Sequence, residues 1–175
     1  MRSLIVFVSL LVLSGCTSLK PGQSLPLGPE WRPLKEIRER PPILKNALDK
    51  TAITTVGENA YVQDLAEWLG RTPLNSPKFK AILRHEQEHS RRQLKAGTFL
   101  WIAKYSYDKK FALKEELIGY YYEITERRRL GDNFNPANYA VVLSNYKILT
   151  GSLISHAEAL AWVNEVLAGR WVPTN

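Results

Sequence analysis

Apolar residues recur every three or four positions after Ser76, and this period predicts an amphipathic helix. Ser76 suits the N-cap, Pro77 suits the first helical position, and Gly97 marks the end of the helix. The apolar stripe consists of Phe79, Ile82, Leu83 and Leu94. Glu86 falls on the same stripe, where a buried carboxylate without a partner would be costly. The pattern therefore predicts a partner for this acid inside the protein.

A second long helix is predicted over residues 110–130, and it ends at Gly131. Its inward stripe consists of Leu113, Leu117, Tyr120 and Ile124. Glu116 lies within this stripe, whereas Glu115 points more toward the flank. Gly119, three residues after Glu116, would let the two long helices approach closely.

Shorter elements complete a mainly α (α+β) fold, which is predicted as a compact helical domain with a short β-hairpin. The hairpin pairs residues 52–56 with 60–62 across a turn at 57–59. The other predicted helices cover 62–69, 98–107 (short and buried), 136–149, and a last one that ends at Gly169. Ser155 and Glu158 form a capping box at the start of this last helix.

Residues 1–15 have the order of parts of a secretory signal peptide. A basic start is followed by an apolar run over residues 4–13 that is too short to span a bilayer. The run ends in Leu-Ser-Gly-Cys16, which resembles the lipobox of bacterial lipoproteins. The resemblance implies cleavage before Cys16, acylation of its thiol, and a lipid-anchored protein of the bacterial cell envelope. Thr17 follows where an aspartate would resemble an inner-membrane retention signal, so the outer membrane, facing the periplasm, is expected in a Gram-negative host.

Six prolines between residues 16 and 42 favour an extended tether over helix or strand. The folded domain is therefore predicted to comprise residues 43–175. Cys16 is the single cysteine, which leaves this domain without a disulfide and without a thiolate metal ligand. The formal net charge of +7 suits contact with anionic lipid or acidic envelope polymers. Nucleic acid is an unsuitable partner for a secreted, lipid-anchored protein.

The sequence His85-Glu86-x-x-His89 lies in the middle of the first long helix. Residues four apart in a helix lie on one face, so both imidazoles can reach a single zinc ion. Glu86 then stands beside the metal without occupying a coordination position, and can accept a proton from the bound water. The spacing therefore predicts a site for one Zn²⁺ ion with Glu86 as general base.

A catalytic zinc ion normally has three protein ligands and one open position. Glu116 is the predicted third ligand because it lies on the inward stripe of the second long helix. Glu123, Glu115 and His156 remain alternatives.

The motif His85-Glu86-x-x-His89, followed by a helix that bears Glu116, resembles a compact version of the gluzincin branch of zinc metallopeptidases. It is also similar to small bacterial proteins with a metallopeptidase domain, and the resemblance covers roughly residues 53–129. The chain lacks the metzincin extension, since Arg92 and Lys95 stand at the positions of its glycine and histidine. It also departs from the gluzincin pattern, because Tyr120 stands where that pattern has an acid four residues after the glutamate ligand.

The resemblance implies a zincin-like domain that hydrolyses peptide bonds in a peptide or protein substrate. Zinc would polarise the scissile carbonyl, and Glu86 would pass the proton of the water to the leaving amine. Tyr120, Tyr139 and His156 are candidates for the residue that stabilises the transition state. The alternative hypothesis is a non-catalytic envelope lipoprotein with a structural or vestigial metal site and a binding role. An open cleft at the site favours the enzyme, and a closed site favours the alternative.

Overall fold

The computed structural model describes residues 24–41 and 52–174. This part of the chain is mainly helical with a small β component, which confirms the predicted fold class at that level. Its helices are α1 (Leu65–Arg71), α2 (Pro77–Ala96), α3 (Thr98–Tyr107), α4 (Lys109–Arg129), α5 (Ala137–Asn145) and α6 (His156–Leu167). No helix among the described residues is long and apolar enough to cross a bilayer. The predicted signal peptide, Cys16 and the predicted boundary between residues 42 and 43 lie outside the described residues.

Four short strands form a sheet at one side of α2. They are β1 (Ser24–Pro26), β2 (Glu36–Glu39), β3 (Thr54–Val56) and β4 (Asn59–Val62), in the order β1-β2-β4-β3. Strands β3 and β4 form the predicted antiparallel hairpin, and Gly57 supplies the positive φ of 59° that its turn requires. Strand β2 pairs in parallel with β4. Strand β3 therefore lies at the edge of the sheet, and it contacts α2.

The proline-rich segment differs from the predicted tether, because residues 24–41 belong to the folded domain. Leu34 and Ile37 are 1% and 0% exposed and pack in a core cluster with residues of α1 and α2. The Gln87 amide of α2 donates to two backbone carbonyl oxygens of this segment, at 3.0 and 2.7 Å. Prolines are compatible with turns and edge strands, so their number alone did not indicate a solvated spacer.

Helices α2 and α4 pack along one another and contribute most of the residues of the functional site. The Ser76 hydroxyl caps α2 by accepting from the Phe79 amide at 3.1 Å, and the helix ends at Gly97 with φ 84°. Both ends agree with the prediction. Helix α4 begins at an Asp108 cap, whose carboxylate accepts from the Phe111 amide at 3.0 Å.

Three predicted helices differ in detail from the structure. The helix predicted over residues 62–69 covers Leu65–Arg71, because Val62 pairs in β4 and Asp64 caps the helix by accepting from the Glu67 amide at 2.8 Å. The helix predicted over residues 136–149 ends at Asn145, and a small hairpin follows, formed by β5 (Lys147–Ile148) and β6 (Gly151–Ser152). Gly151, with φ 113°, turns the chain there. Helix α3 has the predicted bounds, but it is buried on one side only: Trp101 is 6% exposed, whereas Leu100 is 68% exposed.

Candidate metal centre

Helices α2 and α4 bring together His85, His89 and Glu116, the three predicted ligands. The Nε2 atoms of the two histidines are 2.9 Å apart. The Glu116 carboxylate oxygens lie 3.5 Å from His89 Nε2 and 3.8 Å from His85 Nε2. A tetrahedral ion with ligands at about 2.0–2.1 Å separates its ligand atoms by about 3.3 Å, which is close to these distances. The three side chains are 3–7% exposed, and this buried group can hold a metal ion.

The alternative third ligands lie elsewhere or have another role. Glu115 is buried in a two-point ion pair with Arg92, with both distances 2.6 Å. Glu123 contacts the other face of the site, because its carboxylate lies 3.2 Å from Nδ1 of His85 rather than from Nε2. His156 is exposed at the start of α6. Among the candidates, Glu116 alone places its carboxylate within reach of both Nε2 atoms.

Glu123 orients the first histidine. A carboxylate at Nδ1 favours the proton on that nitrogen and leaves Nε2 directed toward the ligand group. Tyr139 holds Glu123 in turn, because its hydroxyl donates to the other carboxylate oxygen at 2.9 Å. Burial alone would lower the pKa of His85, but the hydrogen bond to Glu123 and the charges of Glu86, Glu116 and Glu123 outweigh burial and raise this pKa to about 9. Without a metal, His85 is therefore a cation at neutral pH.

Aromatic residues of α3 and of the segment after α5 hold the predicted third ligand, Glu116. The Tyr105 hydroxyl donates to Glu116, and the Tyr146 hydroxyl hydrogen-bonds Tyr105 at 2.9 Å. Burial would raise the pKa of Glu116, but its hydrogen bond with His89 and the positive charges nearby lower it overall. Burial and the Glu116 charge raise the pKa of Tyr105 well above its usual value, so this phenol stays a donor. Trp101 stacks on Tyr105, with ring centroids 4.7 Å apart, and completes this wall of the site.

Gly119 permits the close approach of α4 to the first histidine. A Cβ atom at this position would lie 2.5 Å from Nε2 and 2.6 Å from Cδ2 of His85. Real Cβ atoms do not approach other atoms so closely, and the ring of His85, a predicted ligand, is already held at its other nitrogen by Glu123. The absence of a side chain at Gly119 is therefore a requirement of the site, in agreement with the predicted close contact.

Glu86 lies beside the metal group, the name used here for His85, His89 and Glu116, and it is hydrogen-bonded to strand β3. Its Oε2 accepts from the Thr55 hydroxyl at 2.7 Å, and this is the partner that the apolar stripe required. Other side chains of α2 hold the same hairpin: Gln93 donates to the Thr55 carbonyl at 2.9 Å and accepts from the Gly57 amide at 2.8 Å, and Ser90 donates to the Gly57 carbonyl at 2.6 Å. The hairpin and the helix are thus fixed together at Glu86.

The three predicted transition-state stabilisers have different surroundings. The Tyr120 ring lies edge-on against His85, with centroids 4.5 Å apart. Burial and the charges of nearby carboxylates raise its pKa well above the usual value, and its hydroxyl has no hydrogen-bond partner among the described residues. The Tyr139 hydroxyl is used by Glu123, and His156 lines a shallow depression beside Glu158, away from the metal group. Tyr120 is therefore the candidate whose hydroxyl remains available at the site.

Sequence reasoning missed Thr55, Tyr105 and Tyr146. The available signal for Tyr105 was its spacing of four from Trp101 on the helix that follows the motif, which places both rings on one face. No comparable local signal exists for Thr55 or Tyr146, because their roles depend on contacts between distant segments. Comparisons of the chain with protein families, curated proteins and solved structures give no match.

Proposed function

We propose that the protein is a zinc-dependent metallopeptidase. The observation that carries the proposal is the position of Glu86: it follows a ligand directly, stands beside the metal group without belonging to it, and is held by the Thr55 hydroxyl. Two imidazoles and one carboxylate form a donor set that suits Zn²⁺ in a catalytic site and leaves a fourth position for water or substrate. Glu123 adds the oriented carboxylate–histidine pair that accompanies most metal-binding histidines.

In this proposal each residue of the site has one task. Bound zinc supplies a Lewis acid that polarises the scissile carbonyl and acidifies water. Glu86 accepts the proton of the attacking water and delivers it to the leaving amine. Thr55 holds one carboxylate oxygen of Glu86, which leaves the other oxygen to carry the proton. Tyr120 donates a hydrogen bond to the carbonyl oxygen as negative charge develops there.

The location and substrate belong to the same proposal. Residues 1–16 support a lipid anchor at Cys16, and so a protein of the bacterial envelope that faces the periplasm in a Gram-negative host. A peptide or protein within reach of the membrane is the corresponding substrate. The gluzincin pattern places an acid where this chain has Tyr120, but an oriented acid is present one turn further along α4, at Glu123.

One observation favours the second candidate, a non-catalytic envelope lipoprotein whose metal site is structural or vestigial. Each of the three ligand side chains and Glu86 is at least nine-tenths buried, and closed sites are typical of structural zinc. Strand β3 is an edge strand, but Gln93 already binds the Thr55 carbonyl and the Gly57 amide. An extended substrate therefore finds fewer free backbone groups along this edge.

Glu86→Gln tests the proposed function. The zinc-loaded wild-type protein should hydrolyse members of a broad peptide panel, and the variant should be slower by at least about a hundredfold with the same zinc content, because a general base is typically worth 10²–10⁴ in rate. Glu88→Gln is the matched control, because Glu88 is also buried on α2 but pairs with Arg91 at 2.6 Å. Bound zinc without hydrolysis by any of these proteins would favour the second candidate. Absence of zinc binding would exclude both.

Zinc binding should release protons at neutral pH. Since the pKa of His85 is raised to about 9 in the metal-free protein, its proton competes with the metal below pH 9. We expect release of about one proton per zinc ion at pH 7 and an apparent affinity that rises about tenfold per pH unit up to pH 9. Calorimetric titration in two buffers of different ionisation enthalpy measures the proton release. A pH-independent affinity between pH 7 and 9 would contradict the raised pKa.

A further inference from the structure

Helix α3 carries apolar side chains on its inner side, which is buried, and also on its outer side, which is exposed. Its inner side carries Trp101 and Tyr105 against the metal centre. Its outer side presents Phe99, Leu100 and Tyr107, which are 55%, 68% and 56% exposed. These three positions share one helical face, because at about 100° per residue they lie within an arc of about 100° around the helix axis. A cluster of exposed large apolar side chains on a short helix typically marks an interaction surface.

The segment that carries this outer face is basic up to Asp108, whose carboxylate caps α4. The sequence has no acidic residue between Glu88 and Asp108, whereas it has four basic residues there. Two of these are paired, since Arg92 binds Glu115 and Arg91 binds Glu88. The other two, Lys95 and Lys104, are exposed at the end of α2 and on α3, and the Lys104 ammonium lies 4.7 Å from the centre of the Phe111 ring. The α3 outer face, defined here as Phe99, Leu100 and Tyr107 with these two lysines, thus combines an apolar stripe with a cationic rim.

We propose that the α3 outer face docks on the surface of an anionic lipid bilayer. Phenylalanine and leucine suit the boundary between headgroups and acyl chains, tyrosine suits the headgroup level, and flanking lysines are attracted by anionic lipid. Charge complementarity selects this occupant over an apolar protein partner. A lipid anchor at Cys16 would be separated from Ser24 by seven residues, a span of about 28 Å at full extension, so the domain would remain near the bilayer.

This inference goes beyond the proposed function and does not depend on peptidase activity. It also connects the bilayer to the site, because the helix that docks is the helix whose Tyr105 holds Glu116. With α3 on the membrane, only the width of this helix would separate the bilayer surface from the metal centre.

Hydroxyl-radical footprinting of the full chain tests the proposal, because it reports each side chain separately. With vesicles of phosphatidylglycerol and phosphatidylcholine, oxidation of Phe99, Leu100 and Tyr107 should fall on the order of fivefold, as expected for side chains that enter the interface. Leu74 and Val172, which are 49% and 59% exposed, are the control positions and should not change. Vesicles of phosphatidylcholine alone should protect the α3 outer face much less. Sedimentation with vesicles is not the readout, since the N-terminal segment can support it alone.

Charge reversal supplies the matched variants. Lys95→Glu with Lys104→Glu should raise the lipid concentration for half-protection of Tyr107 by at least about thirtyfold, because each lysine near an anionic surface contributes about 1 kcal/mol and the new carboxylates add repulsion. Lys78→Glu with Lys147→Glu changes the net charge equally at exposed positions elsewhere and should have little effect. Thermal melting establishes that both variants fold. Equal protection by both vesicle types, no protection, or protection that grows with protein concentration without lipid would each overturn the proposal, the last in favour of a second copy of the chain.

Discussion

Gly119→Ala is expected to lower the affinity for zinc by more than about a hundredfold, because it displaces the predicted ligand His85. Removal of a residue that only hydrogen-bonds to a ligand typically costs about 10–100-fold, so displacement of the ligand itself should cost more. The new Cβ atom would lie 2.5 Å from Nε2 of His85, the atom that faces the metal group. The ring cannot move away freely, because Glu123 holds its Nδ1 at 3.2 Å. Relief of the clash must therefore rotate the ligand or separate α2 from α4. Titration of the metal-free protein with zinc against a chromophoric chelator measures the change.

Gly70→Ala is the matched control for this substitution. Gly70 also lies in a helix, but a Cβ atom there meets no described residue within 4 Å. Both variants gain helix propensity worth about 1 kcal/mol, so a difference between them reports the contact with His85 rather than the backbone. Unchanged zinc affinity in Gly119→Ala would show that the two helices do not approach as described.

Elements whose boundaries depend on local hydrogen bonds could be predicted from the sequence. Helix α2 begins where Ser76 caps the Phe79 amide, and it ends at Gly97, as predicted. The capping box of Ser155 and Glu158 likewise fixes the start of α6. Each of these signals involves residues a few positions apart, so no knowledge of the tertiary structure was needed.

Contacts between distant segments could not be predicted in the same way. The segment of residues 24–41 is held by hydrogen bonds from Gln87 to the turn between its strands and by core packing against α1 and α2, which the proline content does not predict. The hydrogen bonds of Thr55 to Glu86 and of Tyr105 to Glu116 join separate elements. An isolated threonine carries no periodic signal, and the spacing of Tyr105 from Trp101 indicates a shared helical face but not the partner of its hydroxyl. Residues that orient a site are therefore harder to identify than its predicted ligands.

The helical period favoured Glu116 as the third ligand over the alternatives, but it did not describe the surroundings of the neighbouring Glu115. The inward stripe of α4 pointed to Glu116, and the structure places this residue with the histidines. Glu115, predicted toward the flank, is 1% exposed because Arg92 of α2 reaches it. Two adjacent acids of α4 thus both face α2, one toward a metal group and the other toward a guanidinium.

Replacement of these two adjacent acids by glutamine should affect two different properties, the zinc affinity for Glu116 and the stability for Glu115. Glu116→Gln is expected to lower the zinc affinity by more than about a hundredfold, because the anionic ligand is lost. Glu115→Gln should leave zinc affinity within about tenfold but lower the free energy of unfolding by about 1–3 kcal/mol, because it leaves a guanidinium without its carboxylate. This estimate lies below that for a fully buried pair, since Arg92 is 30% exposed. Zinc titration and urea unfolding of the metal-free proteins separate the two effects.

A double-mutant cycle identifies the source of the stability loss. If Arg92→Leu combined with Glu115→Gln costs less than the sum of the single changes, the loss arises from the ion pair itself. The opposite assignment, with zinc lost in Glu115→Gln and kept in Glu116→Gln, would mean that α4 is rotated by one residue, or about 100°, from the described packing. Such a rotation would also move Gly119 away from His85. In that case Gly119→Ala should bind zinc as tightly as the wild-type protein does. The two experiments therefore test one helix register from two positions.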